Sequence, residues 1–404
     1  MKKIIFGAMA ATALLSCSKE QVLETNQNGN EISFSIETDN QTKAYEVYSQ
    51  SNLMNEFTVR ATYNNGTINK WYYTDVVTRN GSNASLWIGK DTHYWSYDGT
   101  HDFYACVKGD MTVGDTPEPP QIVDFSPSTD VSKQVDLLYA VTGNMTREDE
   151  TVHLRFRHAL SQIEFRAKNT NEKLHVIIKG VTVGNTITMA TFTFPSTEYV
   201  YGCVYTPGTW SYGENWSIGS YSVTVNGEKG INIPNTSKRV DLTISSNHYF
   251  RKSMLLIATA TLGEDAVGPA WDGEIFGTEP LFPGQALDDC CSYLAVNCEI
   301  YNIEGTEFNP DTDVKLYSGD AIISARFKWE CGKKYIYTFV FGDGSCGQTP
   351  DGDPVLVPVR YQTEVEDFET VPDTNGEYDP DMDRNLPPYD PDMDPDLPSI
   401  PPVE

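Results

Sequence analysis

Apolar and polar residues alternate along most of this chain, and this alternation constrains the fold more than any other feature. Between Phe57 and Tyr63 every second residue is apolar, and the residues between them are Thr58, Arg60 and Thr62. The same pattern recurs at positions 32–36, 152–156, 240–244 and 294–300. A period of two places one face of a strand on a core and the other in water. Because no long helical stripe interrupts the pattern, it predicts an all-β protein.

Turn signals and chain length divide this β structure into units. Pairs such as Asn65-Gly66 and Asn226-Gly227 tolerate the positive φ of tight hairpins. A chain of 404 residues suggests two or three folded units. The polar stretch 146–150 marks a boundary. The predicted organisation is a signal peptide at 1–16, a linker at 17–30, a β-sandwich at 31–149, a second sandwich at 150–345, an extension strand at 346–371 and a tail at 372–404.

The first residues form an export signal. Lys2 and Lys3 precede an apolar run from Ile4 to Leu15, which is too short to span a membrane as a helix. The sequence Leu14-Leu15-Ser16-Cys17 then resembles a bacterial lipobox, in which Cys17 is acylated and becomes the mature N-terminus. The alternative is an ordinary signal peptide with an incidental cysteine. We expect a lipid-anchored protein at the outer membrane, facing outward.

Charge is concentrated at the other end of the chain. The formal net charge is −28, and positions 364–404 hold 14 acidic residues against the single Arg384. The acidic side chains repel one another, and nine prolines lie at 372–402. Both features favour an extended, disordered tail. Calcium binding by this tail is the weaker alternative, since tight sites need fixed geometry. Such an acidic chain is not expected to bind nucleic acid.

Motifs for catalysis or cofactor binding are weak. Residues 342–347 match G-x-G-x-x-G after a strand, but two prolines and a glycine follow where a dinucleotide site needs a helix. A glycine-rich loop between strands is the better interpretation. The six histidines lack the spacing of helical metal sites, and a serine nucleophile elbow is absent from the sequence. No enzyme activity, cofactor or metal site is therefore expected.

Aromatic residues allow one binding hypothesis. Two groups of aromatic residues could stack on the apolar face of a sugar ring. They are Trp71-Tyr72-Tyr73 and the set Trp87, Tyr94, Trp95 and Tyr97. Packing in a β core is the simpler role for such large side chains. The two roles imply different functions, a glycan-binding module or a structural subunit.

The chain resembles the Bacteroidetes fimbrillin family, lipoprotein pilins of the FimA/Mfa type. Thr42-Lys43-Ala44 is similar to the family's Thr-Arg-Ala. The most specific element is Asp136-Leu137-Leu138-Tyr139-Ala140 followed by Phe156-Arg157-His158-Ala159-Leu160-Ser161. The resemblance implies two transthyretin-like β-sandwiches, no catalysis, and a role as stalk, tip or anchor of adhesive fimbriae. Lys43 in place of arginine and the acidic tail depart from the pattern.

The resemblance also implies assembly by strand replacement. In the family a protease removes an N-terminal strand, here Ile32–Ile36, and processing is expected at Lys43 or Ala44. A strand from another subunit then fills the groove. The candidate donor runs from Val355 to Val365, and its apolar face consists of Val355, Val357, Val359, Tyr361, Thr363 and Val365. The alternative is that this segment is the last edge strand of its own sandwich. Expected partners are other fimbrial subunits, the outer membrane through the lipid, and host or bacterial surface glycans or proteins.

Overall fold

The computed structural model describes residues 30–36, 56–80, 86–198, 201–212, 214–225, 229–242, 253–258, 279–280, 291–305, 307–325, 327–351 and 354–367. Within these ranges the chain forms 22 strands and one 3₁₀ turn at Val131–Lys133. The strands are β1 (Ser33–Ile36), β2 (Glu56–Asn64), β3 (Asn69–Arg79), β4 (Trp87–Gly89), β5 (His101–Val107), β6 (Gln121–Phe125), β7 (Leu138–Met145), β8 (Thr151–Leu154), β9 (Arg157–His158), β10 (Leu160–Asn169), β11 (Leu174–Thr193), β12 (Gly202–Cys203), β13 (Thr209–Ser211), β14 (Ser217–Thr224), β15 (Ile231–Ile233), β16 (Val240–Asp241), β17 (Met254–Ile257), β18 (Glu279–Pro280), β19 (Cys291–Asn302), β20 (Val314–Ser324), β21 (Lys333–Gln348) and β22 (Pro354–Asp367). The predicted all-β fold is confirmed. No helix in the described ranges has the length and apolar character to cross a membrane.

The strands form two sheets. The first has the order β12-β7-β5-β2-β3-β4-β1-β8, with β9 attached to β7. The second is built around β13-β11-β19-β20-β21-β10-β16, with shorter strands added at its sides. The main passage from the first sheet to the second lies between β9 and β10, although β6 already belongs to the second sheet and β12 still belongs to the first. The domain boundary near residue 149 stays a prediction.

The cores explain why some strands lack alternation. In β5, Phe103, Ala105 and Val107 pack into a core with Phe34 and Phe57. The intervening Tyr104 and Cys106 point to the opposite face of β5. There they belong to a second core that includes Phe192 of β11 and Trp210 of β13, both in the second sheet. Because both faces are covered, β5 is buried almost throughout. A third core lies against the second sheet, around Phe165, Trp329 and Phe339.

Strand β21 carries the glycine-rich motif, and the motif is a corner in the fold. In the first half of β21, residues 335–341 lie between β10 and β22 and are buried. After Gly342 the ladder shifts register, and Gln348 pairs with Ile322 of β20. Gly342 has a φ of +86°, and a Cβ there would lie 2.5 Å from the Cβ of Asn171. The expected loop between strands is therefore an irregular turn within one long strand.

Four cysteines whose side chains the structure describes are free thiols. Cys106 and Cys298 are buried, while Cys203 and Cys331 are partly exposed. Burial raises the pKa of the Cys106 thiol to about 12, so it stays protonated at neutral pH. A buried free cysteine behaves as a small apolar side chain.

Candidate functional site

The groove that holds β1 is the candidate site. Strand β1 runs parallel to β8 through four paired positions, from Ser33 opposite Thr151 to Ile36 opposite Leu154. On its other side it pairs with β4 over two residues. The segment before it is also held, because the amide of Ile32 donates to the carbonyl of His93 at 2.8 Å. Main-chain hydrogen bonds therefore fix β1 along both edges.

The inward side chains of β1 fill the first core. Ile32 and Phe34 are 6% and 1% exposed, and Ile36 is half-buried. The ring of Phe34 lies edge-on to Phe57, with centroids 6.0 Å apart, and to Phe103 at 5.8 Å. Burying an apolar side chain of this size contributes about 2 kcal/mol. The predicted strand Ile32–Ile36 therefore plugs an apolar groove, as the alternating pattern indicated.

The outward side chains of β1 face β8. Ser33 Oγ lies 3.2 Å from Thr151 Oγ1, and Ser35 Oγ lies 2.6 Å from His153 Nδ1. Both contacts are at or near the surface. Small polar residues at these two positions are therefore matched by polar partners across the ladder. The alternation in the sequence predicted that these side chains point outward, but not which residues they contact.

Strand β8 depends on β1. In the described part of the chain, β1 is the one strand in ladder register with β8. The carbonyl of His153 accepts hydrogen bonds from two side chains, the Thr142 hydroxyl and the Cys203 thiol, and not from the main chain of a neighbouring strand. Val152 and Leu154 are fully buried. Loss of β1 would therefore unpair one edge of β8 and expose the core beneath it.

A buried carboxylate supports the opposite wall of the groove. Asp75 accepts hydrogen bonds from the amides of Val76 at 2.7 Å and Asp91 at 3.0 Å, and it lies 3.3 Å from His93 Nε2. The imidazole of His93 stacks on Tyr73 with centroids 3.7 Å apart. These contacts fix the segment whose carbonyl, at His93, receives the amide of Ile32.

The two parts of the most specific sequence element meet through a buried hydrogen bond between a carboxylate and an imidazole. Asp136 and His158 are 3% and 5% exposed, and Nδ1 of His158 contacts Oδ2 of Asp136. Their neighbours are joined as well, because the amide of Ala159 donates to the carbonyl of Leu137 at 2.9 Å. The indole of Trp210 donates to the carbonyl of Ala159 at 2.7 Å. The two halves of the motif thus meet where the chain leaves the first sheet, a contact that neither half reveals by itself.

The candidate donor lies in β22. This strand is antiparallel to β21, with Tyr361 opposite Phe339 and Val365 opposite Tyr335. Val359 is buried, Thr363 is exposed, and Val365 is 56% exposed. Within the described residues β22 has a ladder partner on one edge only. This placement corresponds to the alternative of a last edge strand in its own sandwich, and Val355 and Val357 belong to the same strand.

Other predicted positions lie elsewhere. The lipidation candidate Cys17, the processing candidates Lys43 and Ala44, and the acidic tail fall outside the described residues. Within those residues, no group of three histidine, cysteine, aspartate or glutamate side chains is arranged to hold a metal ion.

The proposed sugar platform is dispersed. Trp87 and Trp95 are 3% and 0% exposed and belong to the core around Phe34. Trp71, Tyr72 and Tyr73 are half-buried, and Trp71 donates to the carbonyl of Gly114. Tyr97 is 62% exposed beside the guanidinium of Arg147. Core packing therefore accounts for the tryptophans at 87 and 95.

Comparison with known structures supports the same fold. A fimbrial protein from Bacteroides vulgatus is 14% identical, covers 84% of this chain and 99% of its own, and superposes with a TM-score of 0.54. A putative cell adhesion protein from Bacteroides uniformis is also 14% identical, covering 85% of this chain and 100% of its own with a TM-score of 0.41. The fimbrial anchor protein Mfa2 from Porphyromonas gingivalis is 11% identical, covering 83% and 98%, with a TM-score of 0.31. Only the first likeness is strong enough to support the fold.

Sequence comparison identifies the family. No curated protein sequence matches the chain. The family model described as fimbrillin-like matches residues 42–260, which is just over half of the 404 residues. This range includes the buried pair Asp136–His158 and the strands that wall the β1 groove. The chain belongs to the fimbrillin-like family.

Proposed function

We propose that this chain is a structural subunit of cell-surface fimbriae, in which a strand from another subunit replaces β1. The observation that supports this proposal is the seating of β1. It is a short N-terminal strand whose two inward side chains, Ile32 and Phe34, are buried in a groove. Strand addition uses main-chain hydrogen bonds for affinity and alternate side chains for specificity. The β1 groove offers both.

The residues before β1 supply the attachment. Acylation of Cys17 would tether the chain to the outer membrane, and stable anchoring takes more than one acyl chain. The segment between Ile36 and Glu56 contains Lys43 and Ala44, where a cut would free β1 from β2. An arginine-specific protease would cut poorly at Lys43. An uncut chain would then serve as anchor or tip, and a cut chain as a stalk subunit.

The mature N-terminus on cells tests this proposal. Mass spectrometry of surface protein distinguishes a chain that begins at lipidated Cys17 from one that begins near Ala44. Electron microscopy of cells with and without the gene then shows whether fimbriae depend on it. Loss or shortening of fimbriae supports a structural role, whereas unchanged fimbriae and no co-purifying subunit would contradict it. Release of the Cys17→Ala variant from membranes checks the anchor separately.

The glycan-binding alternative has less structural support. Its strongest residues, Trp87 and Trp95, are in the core, so sugar rings could not stack on them in this fold. Tyr97 is the exposed member of that group. Retention of the intact protein on immobilised polysaccharide, abolished by Tyr97→Ala, would favour this alternative.

A further inference from the structure

We propose that the segment 201–205, which lies beside β8, is a binding site for a neutral polysaccharide. In this site the exposed rings of Tyr201 and Tyr205 stack on sugar units. The site is separate from the β1 groove and from the buried tryptophans Trp87 and Trp95. Binding there does not require assembly with other subunits, so its failure would leave the proposed function untouched.

Two highly exposed tyrosines lie within this short segment. Tyr201 and Tyr205 are 70% and 55% exposed. In the part of the chain that the structure describes, Tyr97 at 62% is the only other aromatic residue of comparable exposure. Single exposed apolar side chains are common and need no explanation, whereas neighbouring exposed rings mark an interaction site.

The segment runs along β8 in the same direction. Tyr201 contacts the turn before β8, and the Cys203 thiol then donates to the carbonyl of His153 at 3.3 Å. Beyond the end of β8, Arg157 donates to the carbonyl of Tyr205. Pairing of β12 with β7 fixes the middle of the segment. Four residues of extended chain span about 13 Å or less, so the two rings offer successive contacts to a linear ligand.

Charged neighbours hold both rings in place. The guanidinium carbons of Arg155 and Arg157 lie 4.9 and 5.5 Å from the ring centroid of Tyr205. The hydroxyl of Tyr201 donates to the carboxylate of Asp149. Side chains that are already fixed lose less conformational freedom when a ligand binds. More than half of each tyrosine is still exposed, so ring surface stays open to a ligand.

These neighbours favour a sugar over a protein surface as the ligand. The centre of a protein interface is apolar and depleted in charged residues. Here Asp149 adjoins one ring, and Arg155 and Arg157 adjoin the other. A sugar unit meets both features at once, because its C–H face packs on an aromatic ring while the hydroxyl groups at its edge bond to nearby charged groups.

Local charge favours a neutral sugar. Residues 147–157 hold three arginines and three acids, namely Arg147, Arg155, Arg157, Glu148, Asp149 and Glu150. The positive and negative charges beside the rings therefore balance, while the whole chain carries a net charge of −28 and repels polyanions. In β-linked glucose the hydroxyl groups project from the edge of the ring, and both faces present C–H groups. A polymer of β-linked glucose is thus the ligand that this site fits.

Affinity electrophoresis tests the site. The full chain is run through native gels that contain barley β-glucan, a neutral polymer of β-linked glucose, or polygalacturonate, an anionic polymer, or neither. We expect β-glucan to retard the chain and polygalacturonate to have little effect. Tyr201→Ala and Tyr205→Ala should each weaken the apparent affinity about tenfold, whereas Tyr205→Phe keeps the ring and should bind within about twofold of the natural chain. Val314→Ala, at a site on β20 that is 51% exposed, is the matched control.

A second measurement uses the natural chain and does not depend on the folding of a variant. Tetranitromethane nitrates exposed tyrosines, and mass spectrometry locates the modified residues. We expect β-glucan to protect Tyr201 and Tyr205 several-fold, and polygalacturonate to protect neither. Unchanged nitration of both tyrosines in the presence of β-glucan would overturn the inference.

The gel results decide the remaining points. No retardation by β-glucan, or stronger retardation by polygalacturonate, would overturn the inference of a neutral sugar. Retardation that survives both alanine substitutions would mean that the sugar binds elsewhere. A dimer that forms in size-exclusion chromatography and is lost in Tyr201→Ala and Tyr205→Ala, without retardation by β-glucan, would assign the two tyrosines to a contact between copies instead. Melting curves of the variants check that they fold.

Discussion

The ring of Phe34 in β1 meets the ring of Phe103 in β5 edge-on, with centroids 5.8 Å apart and planes at 84°. This contact joins the N-terminal strand to the centre of the first sheet, across β4, β3 and β2 in the strand order. A strand so short has few main-chain bonds, so its attachment depends on such buried side chains. The packing of Phe34 therefore largely determines how firmly β1 is held.

We expect Phe34→Ala to destabilise the first sheet by about 3–5 kcal/mol, because it removes a fully buried ring and leaves a cavity. The matched control is Ser33→Ala, one residue away on the outward face, which should cost less than about 1 kcal/mol. Urea unfolding followed by circular dichroism measures both. Similar midpoints for the two variants would show that β1 does not plug the core.

Acid should weaken this same region through His101. Its ring is buried, Nδ1 donates to the carbonyl of Thr62 at 2.7 Å, and burial lowers its pKa from 6.5 to about 4. Between pH 6.5 and 4 the His101 imidazole therefore binds a proton in the unfolded chain but not in the folded chain. Stability is full above pH 6.5 and falls as the pH drops towards 4, by on the order of 3 kcal/mol. Melting temperatures across this range should flatten in His101→Gln, and an unchanged slope would exclude His101 as the cause.

The Asp136–His158 pair should behave as a coupled unit. Removing one partner leaves the polar group of the other buried without this hydrogen bond, so Asp136→Ala and His158→Ala should each cost about 1–3 kcal/mol. The double variant should cost clearly less than the sum, because neither buried polar side chain is then left without its partner. Denaturant midpoints of the four proteins give the coupling energy. Additive losses would mean that the two side chains act independently.

Sequence patterns predicted the strands far better than their contacts. The alternation at Val152, Leu154 and at Phe57, Val59 identified buried faces correctly, since a period of two depends on one sheet and one core. It could not show that β5 is covered on both faces, which depends on the packing of Phe192 and Trp210 from distant strands. The contact between Asp136 and His158 spans 22 residues and needed the tertiary fold. The G-x-G-x-x-G run was predicted to be a glycine-rich loop between strands, and its role as a corner follows only from the register shift in β21.

The tryptophan at position 95 should be needed for folding rather than for binding. Its ring is fully buried and meets Phe103 at 5.7 Å and His101 at 5.6 Å. We expect Trp95→Ala to cost about 3–5 kcal/mol and to reduce the yield of folded protein. Tyr97→Ala, two residues away and 62% exposed, should melt within a degree or two of the natural chain. A well-folded Trp95→Ala protein that loses polysaccharide retention would instead favour the binding module.

Two glycines with nearly the same backbone angle separate conformational strain from steric clash. Gly66 and Gly342 have φ values of +84° and +86°, so an alanine at either position pays the left-handed penalty of about 1–2 kcal/mol. A Cβ at Gly66 would have no neighbour within 4 Å, whereas one at Gly342 would lie 2.5 Å from the Cβ and 3.0 Å from the amide nitrogen of Asn171. Backbone atoms cannot yield as the end of a flexible side chain can, so the corner of β21 must shift. We therefore expect Gly342→Ala to lower the unfolding midpoint clearly more than Gly66→Ala, as measured in parallel urea titrations. Equal decreases in the two unfolding midpoints would mean that the backbone near Asn171 moves away at little cost. Glycine would then be required at position 342 only because of its positive φ.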